Sequence, residues 1–267
     1  MNTPTSTKPT AKKALILILP VIFAIAAALA AAFMMQSGQK PAIDPLPEPP
    51  EESSSDPEDA QVMLPIESEE GDDFSVGLEF SSNGDGTATV VGIGSCSDKA
   101  LISPDRSPDG DLVIAIGKNA FNGIIAIDEV FLPDTLISIG ENAFRGSGIC
   151  AVSIGSAVIT VGDGAFAECT ALTCISVSPA NAMYASVDGV LFDREMSELI
   201  CYPSGKTSRR YTLPHSVTRI APYAFSSCGS LKEVAFEGTE KEWKNVYVCS
   251  GNESLHAAIL SFTRSDK

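Results

Sequence analysis

A short block closing on Ala-Phe recurs four times in this chain, and few folds accommodate such a pattern. Ile116-Gly117-Lys118-Asn119-Ala120-Phe121 returns as Ile139-Gly140-Glu141-Asn142-Ala143-Phe144 and as Val161-Gly162-Asp163-Gly164-Ala165-Phe166. A fourth copy reads Ile220-Ala221-Pro222-Tyr223-Ala224-Phe225. The phenylalanines stand 23, 22 and then 59 residues apart. Between the blocks runs a second pattern, apolar-x-x-apolar-x-apolar. It falls on Ile127, Val130 and Leu132; Ile149, Val152 and Ile154; Leu172, Ile175 and Val177; and Leu231, Val234 and Phe236.

This period fits one short strand plus a return turn. One such unit cannot bury its own apolar side, whereas stacked units bury a continuous core. Side chains alternate along a strand, so Val130 and Leu132 share a face. The Ala-Phe pair would fill the opposite wall. Alanine lets backbones approach, and each enclosed phenylalanine contributes roughly 2–3 kcal/mol.

These blocks resemble the leucine-rich repeat class, and within it the BspA-like family, whose mark is the IGxxAF block. The resemblance implies a repeat solenoid: a β-strand-rich, right-handed leucine-rich repeat coil of short strands and turns. The usual asparagine ladder is missing, because Thr135, Ala157, Ala180 and Thr239 hold its positions. Tyr184 to Phe192 followed by Leu199-Ile200-Cys201-Tyr202-Pro203 resembles the family's inserted DGVLF…LIxYP unit. Physically it reads as two strands joined by a polar turn over residues 193–198, a hairpin that accounts for the long gap. Gly238-Thr239 with Trp243, Val246, Val248 and Asn252 resembles the terminal cap, and Thr87 to Gly94 with Asp109, Gly110 and Val113 the entry unit. The likeness covers about residues 84–262.

Ahead of the repeats, residues 14–35 form a run of 22 without a charge, about 33 Å as a helix and enough to span a bilayer core. Lys8, Lys12 and Lys13 precede it and only Lys40 follows closely, which keeps residues 1–13 as a cytoplasmic tail. The alternative is a cleaved signal peptide ending near Ala28-Leu29-Ala30 or Ala30-Ala31-Ala32, although no polar region precedes those alanines. Both readings export the remainder, to the plasma membrane or as a secreted protein. Residues 36–75 read as an acidic, Pro-rich disordered linker, residues 41–75 alone holding 12 acidic residues, seven prolines and no basic ones. Residues 76–267 then make the repeat domain.

Composition and motifs exclude much chemistry. Eighteen basic against 34 acidic residues give a net charge of -16, which argues against nucleic acid as partner. No GxSxG, GxxxxGK or HExxH occurs, the seven cysteines form no CxxC, and no metal or small-molecule cofactor is expected. Cys169 and Cys228 each stand three residues after an Ala-Phe phenylalanine and read as small buried hydrophobes. His215 reads as a solvated surface residue. Asp105, Asp109 and Asp111 lack calcium-loop spacing, and Asn252-Glu253-Ser254 is a formal glycosylation sequon.

The outward strand positions form the natural binding ladder: Asp128, Glu129 and Phe131; Ser153; Ser176; Arg210 and Thr212; and Lys232. One column, Phe131, Ser153, Ser176, Thr212, Ala235, is mostly small, which suits a broad protein or glycan contact better than a deep pocket. Phe131 is its exposed aromatic anchor. The expectation is an exported, membrane-anchored, non-catalytic protein that mediates protein binding or adhesion at the cell surface, as the resemblance implies. The alternative is a structural or sensory ectodomain assembling with partners in its own membrane.

Overall fold

The computed structural model describes residues 74–265. The tail 1–13, the span 14–35 and linker residues 36–73 lie outside the described residues. Among the described residues no helix is long and apolar enough to cross a membrane.

Each coil contributes one strand to each of two sides. On the first side, β3 (Ala100–Ile102), β5 (Glu129–Phe131), β7 (Ala151–Ile154) and β9 (Cys174–Val177) pair in parallel. Register aligns Leu101 with Val130 and Val152 with Ile175, so the inward residue of each strand meets its counterpart. On the second side lie β1 (Glu79–Ser82), β2 (Thr87–Gly92), β4 (Leu112–Ile116), β6 (Ser138–Ile139) and β8 (Thr160–Val161). Only the opening pair, β1 with β2, is antiparallel. The entry unit therefore begins at Glu79, ahead of residue 84, and its first strand is polar and mostly exposed, as the end of a stack requires.

The Ala-Phe blocks build the turns between these sides. Phe121, Phe144 and Phe166 stack in a column, with ring centroids 5.2 and 5.8 Å apart. Beside them the main chain bonds from coil to coil: Phe121 N donates to Ala143 O at 2.7 Å and Phe144 N to Ala165 O at 2.8 Å. Asn119 N donates to Glu141 O, and Asn142 N to Asp163 O. The sequence block follows from this spacing. A Cβ on Gly140 would lie 2.6 Å from Lys118 N, so the position before the turn needs glycine. Asn119, Asn142, Gly164 and Tyr223 all take the left-handed conformation, with φ of 58, 54, 65 and 60°; asparagine and glycine adopt it at little cost, tyrosine under strain.

The insertion departs from the expected single hairpin. It is a three-stranded antiparallel meander: β10 (Tyr184–Val187), β11 (Val190–Asp193) and β12 (Glu198–Cys201). The segment read as one strand is broken by a two-residue turn at Asp188 and Gly189, with φ of 51 and 76°. Asp-Gly is the usual sequence of such a turn. The second turn is held by Asp193, whose carboxylate accepts from Ser197 N, Ser197 Oγ and Glu198 N.

The middle strand β11 is buried on both faces and divides the core. Leu191 belongs to the cluster containing Phe121, Phe144 and Phe166. Val190 and Phe192 belong to a second cluster around Tyr202, Phe225 and Phe236. Past this wall the coil resumes. Here β13 (Arg210–Leu213), β15 (Glu233–Phe236) and β17 (Ile259–Phe262) pair in parallel, while β14 (Arg219–Ile220) and β16 (Tyr247–Val248) extend the sheet begun by the meander. Tyr202 takes the phenylalanine position of the inserted unit: its N donates to Ala224 O, and its ring lies 5.3 Å from that of Phe225.

The C-terminal cap contains α1 (Glu240–Trp243) and α2 (Glu253–Ala257). Thr239 and Glu242 form a capping box at α1, and Trp243 meets Phe236 edge-on at 5.4 Å. Two buried asparagines replace the missing ladder locally. Asn181 donates to Gly155 O and Val158 O and accepts from Met183 N and Tyr184 N. Asn252 donates to Ala221 O and Cys249 O, and its Oδ1 accepts from Phe225 N, where the next coil's carbonyl would have been.

The sequon is thus structural, since Asn252 is 1% exposed. Asn252→Ala would leave buried main-chain groups unpaired and lower stability by about 1–3 kcal/mol. Denaturant unfolding checks this, and mass spectrometry of folded chain from a glycosylating secretory host should find Asn252 bare. Phe144→Ala, at the centre of the stack, should cost about 3–5 kcal/mol by the same measurement.

Candidate functional site

The predicted ladder separates into two patches. On the first, Ala100, Glu129, Ala151 and Cys174 form one outward column. Beside it Ile102 pairs with Phe131, and Ser153 with Ser176. Glu129, Ser153 and Ser176 are exposed, but Phe131 is only half-exposed, so it is not the open anchor expected. Asp128 lies 4.0 Å from Lys99, both well exposed. Two hydroxyls bond sideways to the main chain of the preceding coil: Ser176 Oγ donates to Val152 O at 3.4 Å and Thr173 Oγ1 to Cys150 O at 3.3 Å. The patch is consequently a low surface of short side chains with their polar atoms partly engaged.

The second patch lies on the sheet of β13, β15 and β17, where Arg210 pairs with Glu233 and Thr212 with Ala235. Arg210 and Thr212 are exposed, whereas Ala235, the last residue of the predicted column, is fully buried. It lies between Thr212 and Ser261 in register, and the neighbouring Glu233 carboxylate accepts from Ser261 Oγ at 2.8 Å and meets Arg210 at 3.6 Å. Lys232 is tied to Gly229 O at 2.8 Å.

What parts the patches is the tip of the meander. Ile175 N donates to Gly189 O, and Ser186 Oγ to Ile175 O. A Cβ on Gly189 would lie 3.1 Å from Cys174, which shows how closely the tip covers β9. Lys206 Nζ holds the tip from the other side through Asp188 O. The structure therefore brings together Asp128, Glu129, Phe131, Ser153 and Ser176, and separately Arg210, Thr212 and Lys232.

Sequence reasoning missed a cavity of about 260 Å³ on the other side of the coil, among Asp163, Gly164, Met183, Tyr184, Ile200 and Tyr223. The signal was present: the inserted unit runs Leu199-Ile200-Cys201-Tyr202 and lacks the Gly-x-x-Ala turn that three of the four blocks carry and that the fourth keeps as Ala221-Pro222-Tyr223-Ala224. Chemistry elsewhere is sparse. Among the described residues no three histidine, cysteine, aspartate or glutamate side chains gather to hold a metal. His215 is exposed but engaged, 3.2 Å from Glu242 and stacked over Phe236; bonds from Thr239 and His215 hold the Glu242 carboxyl below its ordinary range.

A parallel stack of short strand-and-turn coils, closed by an antiparallel entry strand and a two-helix cap, defines a leucine-rich repeat solenoid. The BspA type leucine rich repeat region matches in six copies over residues 108–188 and 201–257, just over half of the chain, and the protein belongs to that family. Among solved structures, the pneumococcal vaccine antigen PcpA is similar at 24% identity and a TM-score of 0.49, over 57% of this chain and 37% of that one. This chain thus spans about a third of the antigen's length. A leucine rich cell surface protein from Faecalibacterium prausnitzii aligns at 18% identity and a TM-score of 0.44, over 71% of this chain and 76% of that one. The leucine-rich repeat protein of T. pallidum aligns at 20% and 0.42, over 70% and 83%. Among curated proteins none matches significantly.

All seven cysteines are free, and their environments differ. Cys150 and Cys174 are exposed, while Cys169, Cys201 and Cys228 are buried. Burial pushes the Cys201 thiol well above its ordinary value and the Cys228 thiol from 9.0 to about 12. Thiol reagent at neutral pH should label Cys150 and Cys174 and spare these three until the protein unfolds, as peptide mapping would report. A thiol with a raised native pKa keeps its proton longer folded than unfolded. Its stabilising contribution is therefore complete below about pH 9 and lost as pH climbs towards 12. Cys228→Ala should flatten that alkaline decline in unfolding midpoint.

Proposed function

We propose that this is an exported, membrane-anchored, non-catalytic protein that binds other proteins at the cell surface, with a glycan as the secondary ligand class. In this reading residues 1–13 are cytoplasmic, 14–35 span the plasma membrane once, and 36–75 hold the repeat domain of residues 76–267 off the surface. Supporting the span are 22 uncharged residues preceded by lysines. Supporting the spacer are its prolines and like charges, which extend a chain.

The observation that carries the binding role is the outward face of β5, β7 and β9. Parallel register sets Glu129, Phe131, Ser153 and Ser176 on one flat, shallow surface, accessible to a broad partner and too open to enclose a small substrate. Leucine-rich repeat solenoids use such extended surfaces for binding. Phe131 contributes a half-exposed ring at its edge and is the residue on which affinity should concentrate.

Capture with the full chain, followed by identification of bound proteins, tests the reading. Partners from foreign surfaces or matrix support an adhesin, and partners from the protein's own membrane support an assembling or sensory ectodomain. With a partner in hand, Phe131→Ala should weaken affinity by about tenfold or more, as a buried aromatic contact does, and Ser153→Arg should act by steric exclusion. Unchanged affinity in both variants would remove the role from this face. Carbonate extraction of membranes should leave the chain in the pellet; its release would overturn the anchor.

A further inference from the structure

The cavity beside Asp163 exists because one turn of the coil is missing, and it exposes main-chain groups that every other coil satisfies. Elsewhere the residue at the left-handed position donates to the following coil: Asn119 N to Glu141 O, Asn142 N to Asp163 O, and Tyr223 N to Ser250 O. The equivalent donor, Gly164 N, has no acceptor among the described residues, nor has Phe166 N, whose counterparts are Phe121 N and Phe144 N. The pattern repeats with acceptors. Ile116 O, Ile139 O and Leu199 O each accept from the coil after, at Gly140, Gly162 and Ala221, while Val161 O receives no donor among the described residues. The neighbouring Val161 N is satisfied only because Tyr184 reaches in, its hydroxyl accepting at 2.7 Å.

Position 221 shows the same vacancy from the far wall. Gly140 and Gly162 have no room for a Cβ because a turn precedes each, whereas Ala221 carries one, with the gap in front of it. Tyr223 makes the outer lip. It is held in the left-handed region at φ 60°, a strained conformation for a bulky side chain. Its ring lies against Gly251, reaches Gly164, and carries the Arg145 guanidinium 4.8 Å from its centroid. Arg145 is itself held by Glu168 at 2.6 Å.

Charge specifies the guest. Along the turns, the residue three before each phenylalanine runs Lys118, Glu141, Asp163 and then Pro222. Lys118 and Glu141 pair at 2.7 Å, but exposed Asp163 has no cation within reach among the described residues. Glu198, at the cavity floor, is already taken by Arg219 at 2.6 Å, and Asp193 by its own turn.

We propose that this notch binds a short segment of another polypeptide. The guest main chain supplies the missing turn, donating to Val161 O and accepting from Gly164 N and Phe166 N, and its lysine or arginine pairs with Asp163. This completion of an interrupted ladder is a form of strand addition. The site is distinct from the face assigned to surface binding and stands whether or not that assignment does.

The chain's own turns provide the probes. Acetyl-Gly-Lys-Asn-Ala-amide copies residues 117–120, and acetyl-Gly-Glu-Asn-Ala-amide copies 140–143. Titrated into the labelled full chain, the lysine peptide should give saturable shifts at the amides of Gly164 and Phe166. It should slow their hydrogen exchange about tenfold, and the glutamate peptide should bind more weakly. Asp163→Asn should erase the preference, and Asp163→Lys should invert it by about fivefold, the scale of one exposed ion pair. The proposal is overturned if neither peptide saturates at millimolar concentration or if shifts scatter over the acidic surface and spare these amides. It is equally overturned if the preference survives in Asp163→Lys, or if the same amides respond to chain concentration alone, which would make a second copy the occupant.

Discussion

Coil-to-coil hydrogen bonding beside the phenylalanine column is the constraint on which the rest of the structure depends. Each bond, such as Phe144 N to Ala165 O, fixes the advance from one turn to the next, and that advance leaves room for a ring but not for a Cβ at Gly140. The bonds need left-handed residues at Asn119 and Asn142 to aim successive amides along the stacking direction. Ring stacking at 5.2 and 5.8 Å then seals the ladder from water, where an unpaired amide would be costly. The IGxNAF block is the sequence trace of these demands acting together.

The meander is where the repeat rule is suspended. Its middle strand buries Leu191 towards one core and Val190 and Phe192 towards the other, so one strand replaces the apolar surface of a coil for both neighbours. Burial is preserved and ladder bonding is not. On one side its tip covers β9 and separates the two halves of the outward face. On the other the absent turn opens the notch by Asp163. A single insertion thus produces both departures from regularity, the split ladder and the cavity.

The repeat architecture was legible because its period appears directly in the phenylalanine spacing, and the inward residues Val130, Val152, Ile175 and Val234 are all buried. Less legible were features set by neighbours distant in sequence. Phe131 and Ala235 occupy outward positions by strand alternation, yet the first is half-covered and the second fully so, since alternation fixes a direction and not what lies beyond it. The split between β9 and β13 depends on where a tip some dozen residues away comes to rest. Asp188-Gly189 did carry a turn signal, and the absent Gly-x-x-Ala in the inserted unit did mark the notch. A missing motif is harder to notice than a present one. Asn252 illustrates the reverse hazard: three residues satisfied a modification pattern while the side chain was closing the last coil.

Ends and interruptions, more than regular coils, determine how such a chain holds together. A solenoid gains stability from neighbour interfaces, so a coil lacking its ladder partner is coupled to the next only through what replaces the partner. Between the coil of Phe166 and that of Phe225 the replacements are Tyr184, capping Val161 N, and the doubly buried strand β11. At the C-terminal end the replacement is Asn252, whose amide stands in for a carbonyl of the coil that does not follow. Polar side chains at these points do not decorate the repeat; they end the ladder without leaving buried amides open. Among the described residues that closure stays incomplete at Gly164 and Phe166, where Asp163, with no cation beside it among those residues, lines a cavity, and a guest peptide would there do what Asn252 does at the end.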